Sequence, residues 1–225
     1  MCDFSQSDVQ DTSRPKLEPD TESITTRRVA NVTPLGPKVD RIFDGLGAEL
    51  KELGLRIEKV EGWKDRGHPG TFEPRGVMFH HTASGKKLGN APALGIVTHG
   101  RADLPGPLSN FVVGRDGTIY FVAAGRCYHA GEGGPLKGIP EDDGNSYLIG
   151  VECENDGLGE EWPEEQKKAI GRLFASLLNR MDVGPPMVIG HKEWTSRKID
   201  PAGIDLDKFR GRVRGYLYGL KEKRR

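Results

Sequence analysis

The chain has 225 residues, 35% of them hydrophobic, enough for one domain with a sizeable core and extensions. Its 33 basic and 33 acidic side chains cancel, which removes the global field that captures nucleic acid, and no run approaches the ~18 apolar residues of a membrane span. Glycine stands at 31 residues, about twice the usual ~7% share, which suits a loop-rich enzyme better than a helical bundle.

Residues 1–37 are polar and charged, with Pro15, Pro19 and Pro34 and few large apolar groups. Such a stretch cannot offset the entropy of ordering, so it is expected to be disordered, with the folded domain spanning 38–225. It has neither a basic start nor an apolar core, so no secretory signal is expected. From there Val39, Ile42, Leu46, Leu50 and Leu53 recur at helical spacing up to Gly54, weakened by Gly45 and Gly47. Leu55 to Val60 alternates as a half-buried strand does. Gly76 to His80 is a second strand, with Val77 and Phe79 on one face and Met78 and His80 on the other.

A helix is expected over Ala91–Gly100. Asn110–Val113 and Thr118–Val122 flank Arg115-Asp116-Gly117, a hairpin signal. Gly131–Ser146 reads as a long loop, a candidate wall for a groove. Leu148 to Glu154 alternates again: Ile149, Val151 and Cys153 face one way, Leu148, Gly150, Glu152 and Glu154 the other. Pro163, Glu164 and Glu165 open a long helix whose stripe is Ile170, Leu173, Phe174, Leu177, Leu178 and Met181. An amphipathic helix over Asp205–Tyr218 closes the pattern. Strands alternating with helices predict an α/β domain, a central mixed sheet flanked by helices.

Three cysteines, Cys2, Cys127 and Cys153, cannot all pair within the chain, and an odd count without a signal suits reduced thiols in a cytoplasm. Cys127 and Cys153 both sit in strand-like runs, which leaves a bridge between them open.

Polar residues stand at the ends of three apolar runs. His80 ends Gly76-Val77-Met78-Phe79; His191 ends Met187-Val188-Ile189-Gly190 and is followed by Lys198-Ile199-Asp200-Pro201; Glu152 ends Tyr147-Leu148-Ile149-Gly150-Val151. Strand ends on a rigid sheet hold distant side chains at fixed separations, and two histidines with an aspartate leave a zinc ion one open position. No H-E-x-x-H or C-x-x-C marks a site locally.

Five ordered motifs sharpen this. Phe79-His80-His81-Thr82-Ala83-Ser84, Ser109 to Tyr120, Gly125-Arg126-Cys127-Tyr128-His129-Ala130-Gly131, Ile149-Gly150-Val151-Glu152, and Gly190-His191-Lys192-Glu193-Trp194 with Lys198-Ile199-Asp200-Pro201 span residues 76–201. Together they resemble the type 2 N-acetylmuramoyl-L-alanine amidases, relatives of the peptidoglycan recognition proteins, and most of all the amidase modules of phage endolysins.

The resemblance implies one zinc ion per chain on His80, His191 and Asp200, with Asp200 where some relatives carry cysteine. His81 is the rival to His80 but should face the opposite way, and Asp205 and Asp207 suit the cap of the last helix. Glu152 is implied as general base, with Glu154 its competitor on the same face, and Lys198 as oxyanion donor. His129, Ser109 and Asn110 are implied at the substrate; the last two replace a Tyr-His pair of some relatives.

The implied substrate is peptidoglycan, cut between N-acetylmuramic acid and L-alanine. The implied setting is a monomer made in the cytoplasm of the producing host cell, without membrane insertion, reaching the wall after a holin permeabilises the membrane. Two other readings carry distinct signatures. A non-catalytic peptidoglycan-binding module of the same fold would lack a ligand, and a zinc peptidase of the stem peptide would carry a His-x-His pair that is absent here.

Overall fold

The computed structural model describes residues 37–222 and Lys16. The expectation for residues 1–37 falls almost wholly outside the described residues, as does Cys2. In chain order the elements are α1 (Pro37–Phe43), α2 (Leu46–Glu52), β1 (Ile57–Lys59), β2 (Gly76–His81), α3 (Leu94–His99), β3 (Gly100–Arg101), β4 (Leu104–Pro105), β5 (Phe111–Val113), β6 (Ile119–Phe121), α4 (Gly144–Tyr147), β7 (Leu148–Cys153), α5 (Glu164–Met181), β8 (Val188–Gly190), α6 (His191–Trp194) and α7 (Leu206–Glu222).

Two helices stand where the periodicity from Val39 to Leu53 predicted one. Gly45 between them takes φ 68°, a left-handed conformation that a continuous helix does not contain. Both halves keep the expected stripe, since Val39, Ile42, Leu46 and Leu50 are no more than 2% exposed.

Six strands form one mixed sheet in the order β1-β6-β5-β7-β2-β8. Only β5 and β6, the expected hairpin, run antiparallel; the remaining neighbours are parallel. β3 and β4 make a separate antiparallel ribbon.

The two faces of the sheet are covered differently. On one, Val77, Phe79, Phe111, Val113, Ile119, Phe121, Ile149, Val151, Cys153 and Val188 join one cluster with α1, α2, α5 and α7. Phe79 is its hub, with ring centroids 5.7 Å from Trp162 and 5.2 Å from both Phe174 and Phe209.

The opposite face is split. One small cluster joins Val60, Leu94, Val97, Val112, Val122 and Cys127; another joins Met78, Ala130, Ile139, Leu148, Ile189 and Trp194. The polar ends of β2 and β7 emerge on this divided face, as period-two alternation requires. Cys127 and Cys153 therefore belong to clusters on different faces, and both are free thiols. Burial raises the pKa of each, so neither is poised as a thiolate. No helix among the described residues is long and apolar enough to cross a membrane.

Candidate metal centre and active site

β2 sits between β7 and β8, all three parallel, so their C-terminal ends open on the same edge. His80 lies near the end of β2, and its Cα partner on β7 is Glu152. Directly paired residues present their side chains to the same face, on strands roughly 4.8 Å apart, so imidazole and carboxylate are neighbours by register.

His191 begins α6 immediately after β8. Glu193 fixes that turn by accepting the Gly190 N–H at 2.9 Å. The segment carrying Asp200 is tied back to the same helix: the Lys192 N–H donates to the Asp200 carbonyl at 2.8 Å, and Lys192 Nζ donates to the Pro201 carbonyl at 2.9 Å.

These constraints bring together three atoms from distant parts of the chain. His80 Nδ1, His191 Nδ1 and Asp200 Oδ2 lie 3.0 Å from one another on every side. The three residues are only 2%, 5% and 6% exposed.

Proton assignment shows what this triangle wants. His191 Nε2 faces the Ala130 carbonyl at 3.0 Å, which can only accept, so the ring proton sits on Nε2 and the neutral ring leaves Nδ1 bare. His129 Nε2 faces the Leu148 carbonyl at 3.1 Å, which leaves His129 Nδ1 bare. His80 Nε2 lies 3.1 Å from that bare nitrogen and must donate to it, so a neutral His80 also leaves Nδ1 bare. Burial, then the neighbouring His191, lowers the His80 pKa to about 4, which keeps it neutral near pH 7.

Two lone pairs and a carboxylate oxygen thus converge with no proton between them, an arrangement that calls for a cation. A tetrahedral zinc bound at about 2.0–2.1 Å separates its donors by roughly 3.3 Å, so the observed spacing fits with a shift of a few tenths of an ångström. His80, His191 and Asp200 are the set among the described residues whose donor atoms cluster in this way.

The carboxylate suits the role. Asp200 is almost fully buried, and with both Nδ1 atoms bare its Oδ2 meets no proton donor inside the triangle, so a cation is the partner that its charge lacks there.

His81 stands apart from this triangle. Its Nδ1 accepts the Ala202 N–H at 3.0 Å, and its ring lies where a side chain at Gly157 would meet it at 2.4 Å. Asp205 accepts the N–H groups of Asp207 and Lys208 at 3.1 Å, the cap expected of it at the start of α7.

Glu152 is half-buried beside His80, and Lys198 is half-buried, close enough that its ammonium helps to depress the His80 pKa. Glu154 is elsewhere. Fully buried beyond the end of β7, it accepts from Thr82 Oγ1 at 2.8 Å, from Ser84 Oγ and from the Ala93 N–H at 2.9 Å, and pairs with Arg115 at 3.6 Å. It ties the segments after β2 to the start of α3. Burial raises its pKa even against those partners.

Of the three residues expected at the substrate, two are fully buried and one lies against His80. Asn110 is fully buried; its amide donates to the Ala123 and Gly125 carbonyls at 3.0 and 2.8 Å, while its Oδ1 accepts the Gly150 N–H at 3.0 Å. That side chain stitches β7 to the segment after β6, with both of its amide protons spent inside the protein. Ser109 is also fully buried, beneath the surface beside Gly150. His129 is half-buried, with both ring nitrogens committed to His80 and Leu148.

Sequence reasoning passed over Asn145. Its Oδ1 accepts the N–H groups of both His129 and Ala130, at 2.9 and 2.8 Å. It lies inside the Gly131–Ser146 loop, where no motif pointed to it.

Residues 70–203 match the family model described as N-acetylmuramoyl-L-alanine amidase. Among solved structures the fold is similar to the endolysine N-acetylmuramoyl-L-alanine amidase LysCS from Clostridium intestinale URNW. Identity there is 20%, 70% of this chain and 95% of that one are covered, and the TM-score is 0.51. A selenomethionine derivative of AmpD gives 19% identity, 71% and 94% coverage and a TM-score of 0.50. PlyL gives 18% identity, 72% and 98% coverage and a TM-score of 0.50. No curated protein sequence matches. At these identities the solved structures speak for the fold. The family model takes in more than half the chain and includes His80, Glu152, His191, Lys198 and Asp200. The resemblance read from the motifs is thereby borne out: the chain belongs to the N-acetylmuramoyl-L-alanine amidase family and is an enzyme of that class.

Proposed function

We propose that this chain is a zinc-dependent amidase that hydrolyses the bond between N-acetylmuramic acid and L-alanine in bacterial peptidoglycan, and that it serves as a phage endolysin. The observation that carries the metal reading is the triangle of bare His80 Nδ1, His191 Nδ1 and Asp200 Oδ2. Zinc held there supplies a Lewis acid for the amide carbonyl and lowers the pKa of a bound water toward ~7.

The protein's own groups do the rest. Glu152, paired in register with His80, takes a proton from the attacking water and returns it to the leaving L-alanine nitrogen. Lys198 places a positive charge beside the site, where it stabilises negative charge growing on the carbonyl oxygen. The buried triangle behind them excludes water from the metal's protein side and preserves the donor geometry.

The endolysin role draws on the similarity to LysCS, which is described as an endolysine. It implies an enzyme held in the producing cell until a holin opens the membrane.

Mass spectrometry of purified cell wall after digestion tests the reaction. Expected are glycan strands with intact N-acetylmuramic acid lactyl groups and free stem peptides bearing new L-alanine amino termini. Fragments cut within the stem peptide, with muramic acid still acylated, would instead indicate a peptidase. Binding without any released amine would indicate a recognition module.

A further inference from the structure

Both imidazoles that reach the triangle with Nδ1 are held at Nε2 by one short stretch of chain. The Ala130 carbonyl accepts from His191 Nε2 at 3.0 Å, and the His129 ring accepts from His80 Nε2 at 3.1 Å. Asn145 pins that stretch by accepting two successive backbone N–H groups, at 2.9 and 2.8 Å. The His129 ring is itself anchored. Its Nε2 donates to the Leu148 carbonyl at 3.1 Å, and the ring lies directly over Gly150, where a Cβ would come within 2.8 Å of it. Its plane stands at 83° to that of His80, with centroids 5.2 Å apart.

We infer that His129 is a positioning residue for the metal centre: it fixes the Nε2–H tautomer and the ring orientation of His80, so that His80 Nδ1 is presented bare toward His191 and Asp200. A carbonyl is the usual partner for such a ligand, and here β7 offers one only through an intervening imidazole. The chain Leu148 carbonyl, His129, His80 transmits the proton preference of a backbone oxygen across two rings. Gly150 is required in this arrangement because any side chain there would displace the ring. The inference rests on the zinc reading above.

The test uses the full chain stripped of metal and titrated with zinc alone against a chromophoric chelator. Partners of this kind are typically worth 10–100-fold in metal affinity, so His129→Ala is expected to weaken zinc binding by about that factor. His129→Asn places an amide oxygen near the position of Nδ1 and should recover most of the loss, since it still accepts from His80. Long-range proton–nitrogen spectra of the metal-free wild type supply a reading independent of any variant's folding: His80 should carry its proton on Nε2.

A wild type that takes up no zinc would overturn the metal reading and this inference together. A wild type that binds zinc, with His129→Ala binding it equally well, would overturn the inference alone, as would His80 protonated on Nδ1. A raised KM in His129→Ala at unchanged zinc affinity would place the ring at the substrate instead.

Discussion

Phe79 and His80 are consecutive in β2 and belong to different halves of the molecule. Phe79 points into the continuous core beneath α5 and α7, where four of the six strands contribute two or more buried apolar side chains. His80 points to the face whose apolar cover is interrupted, between the cluster around Val112 and the cluster around Met78 and Trp194. The helix-covered face secures the strands; the divided face spends its interior on polar groups. That gap costs burial, and only a sheet fixed from behind can hold three donors at 3.0 Å on its open side.

The largest expected effect breaks the divided face alone. His191→Ala and Asp200→Ala should each reduce zinc from about one ion per chain to near none and abolish wall lysis, and a strong chelator should do the same reversibly to the wild type. Elemental analysis with a turbidity assay checks both. A variant keeping full metal and full activity would remove its residue from the site.

Next is the proposed proton carrier. Glu152→Gln preserves shape and should retain zinc while turnover falls by at least about a hundredfold, within the ~10²–10⁴ range of general-base contributions. Glu154→Gln should spare turnover and act on stability. The raised pKa of Glu154 means that the folded state holds its proton more tightly than the unfolded chain. Its contribution is therefore fully present below the unfolded carboxylate value and is lost as pH rises through the raised one. The Gln variant should flatten that part of the stability profile in urea titrations across the acidic range. If Glu154→Gln stopped the reaction and Glu152→Gln did not, the register would be assigned to the wrong carboxylate.

The smallest effect on chemistry belongs to the other face. Phe79→Ala empties the hub between Trp162, Phe174 and Phe209 and should cost about 3–5 kcal/mol of stability, read by denaturant unfolding. Where the variant remains folded, zinc affinity should stay near the wild-type value. A selective loss of metal without loss of stability would show that the two faces are not separable.

Much of this division is written in the alternation of the strands. Val77 and Phe79 against Met78 and His80, or Ile149 and Val151 against Gly150 and Glu152, can be separated by counting in twos, and the hairpin at Asp116-Gly117 announces itself chemically. Other features depend on neighbours that no local pattern names. The break at Gly45 is a backbone conformation, and the same glycine would also be tolerated inside a helix. Asn110 has the residue type of a ligand contact, and only the surrounding carbonyls of Ala123 and Gly125 show that its amide is consumed internally. His129 was legible as a residue near the site, but its partner His80 lies 49 positions away across the sheet. The strand order, with β1 beside β6 and β8 at the far edge, is set by packing among distant segments.

His80 and Asp200 are 120 positions apart, and the last of the three proposed zinc ligands follows the edge strand β8. A ribosome-bound chain that has exposed everything through Met187 already owns five of the six strands, yet holds one of the three proposed ligands. On the zinc reading, catalytic competence comes late in synthesis, when β8 docks on β2 and the Asp200 segment folds back on Lys192. On that reading the enzyme is silent while nascent.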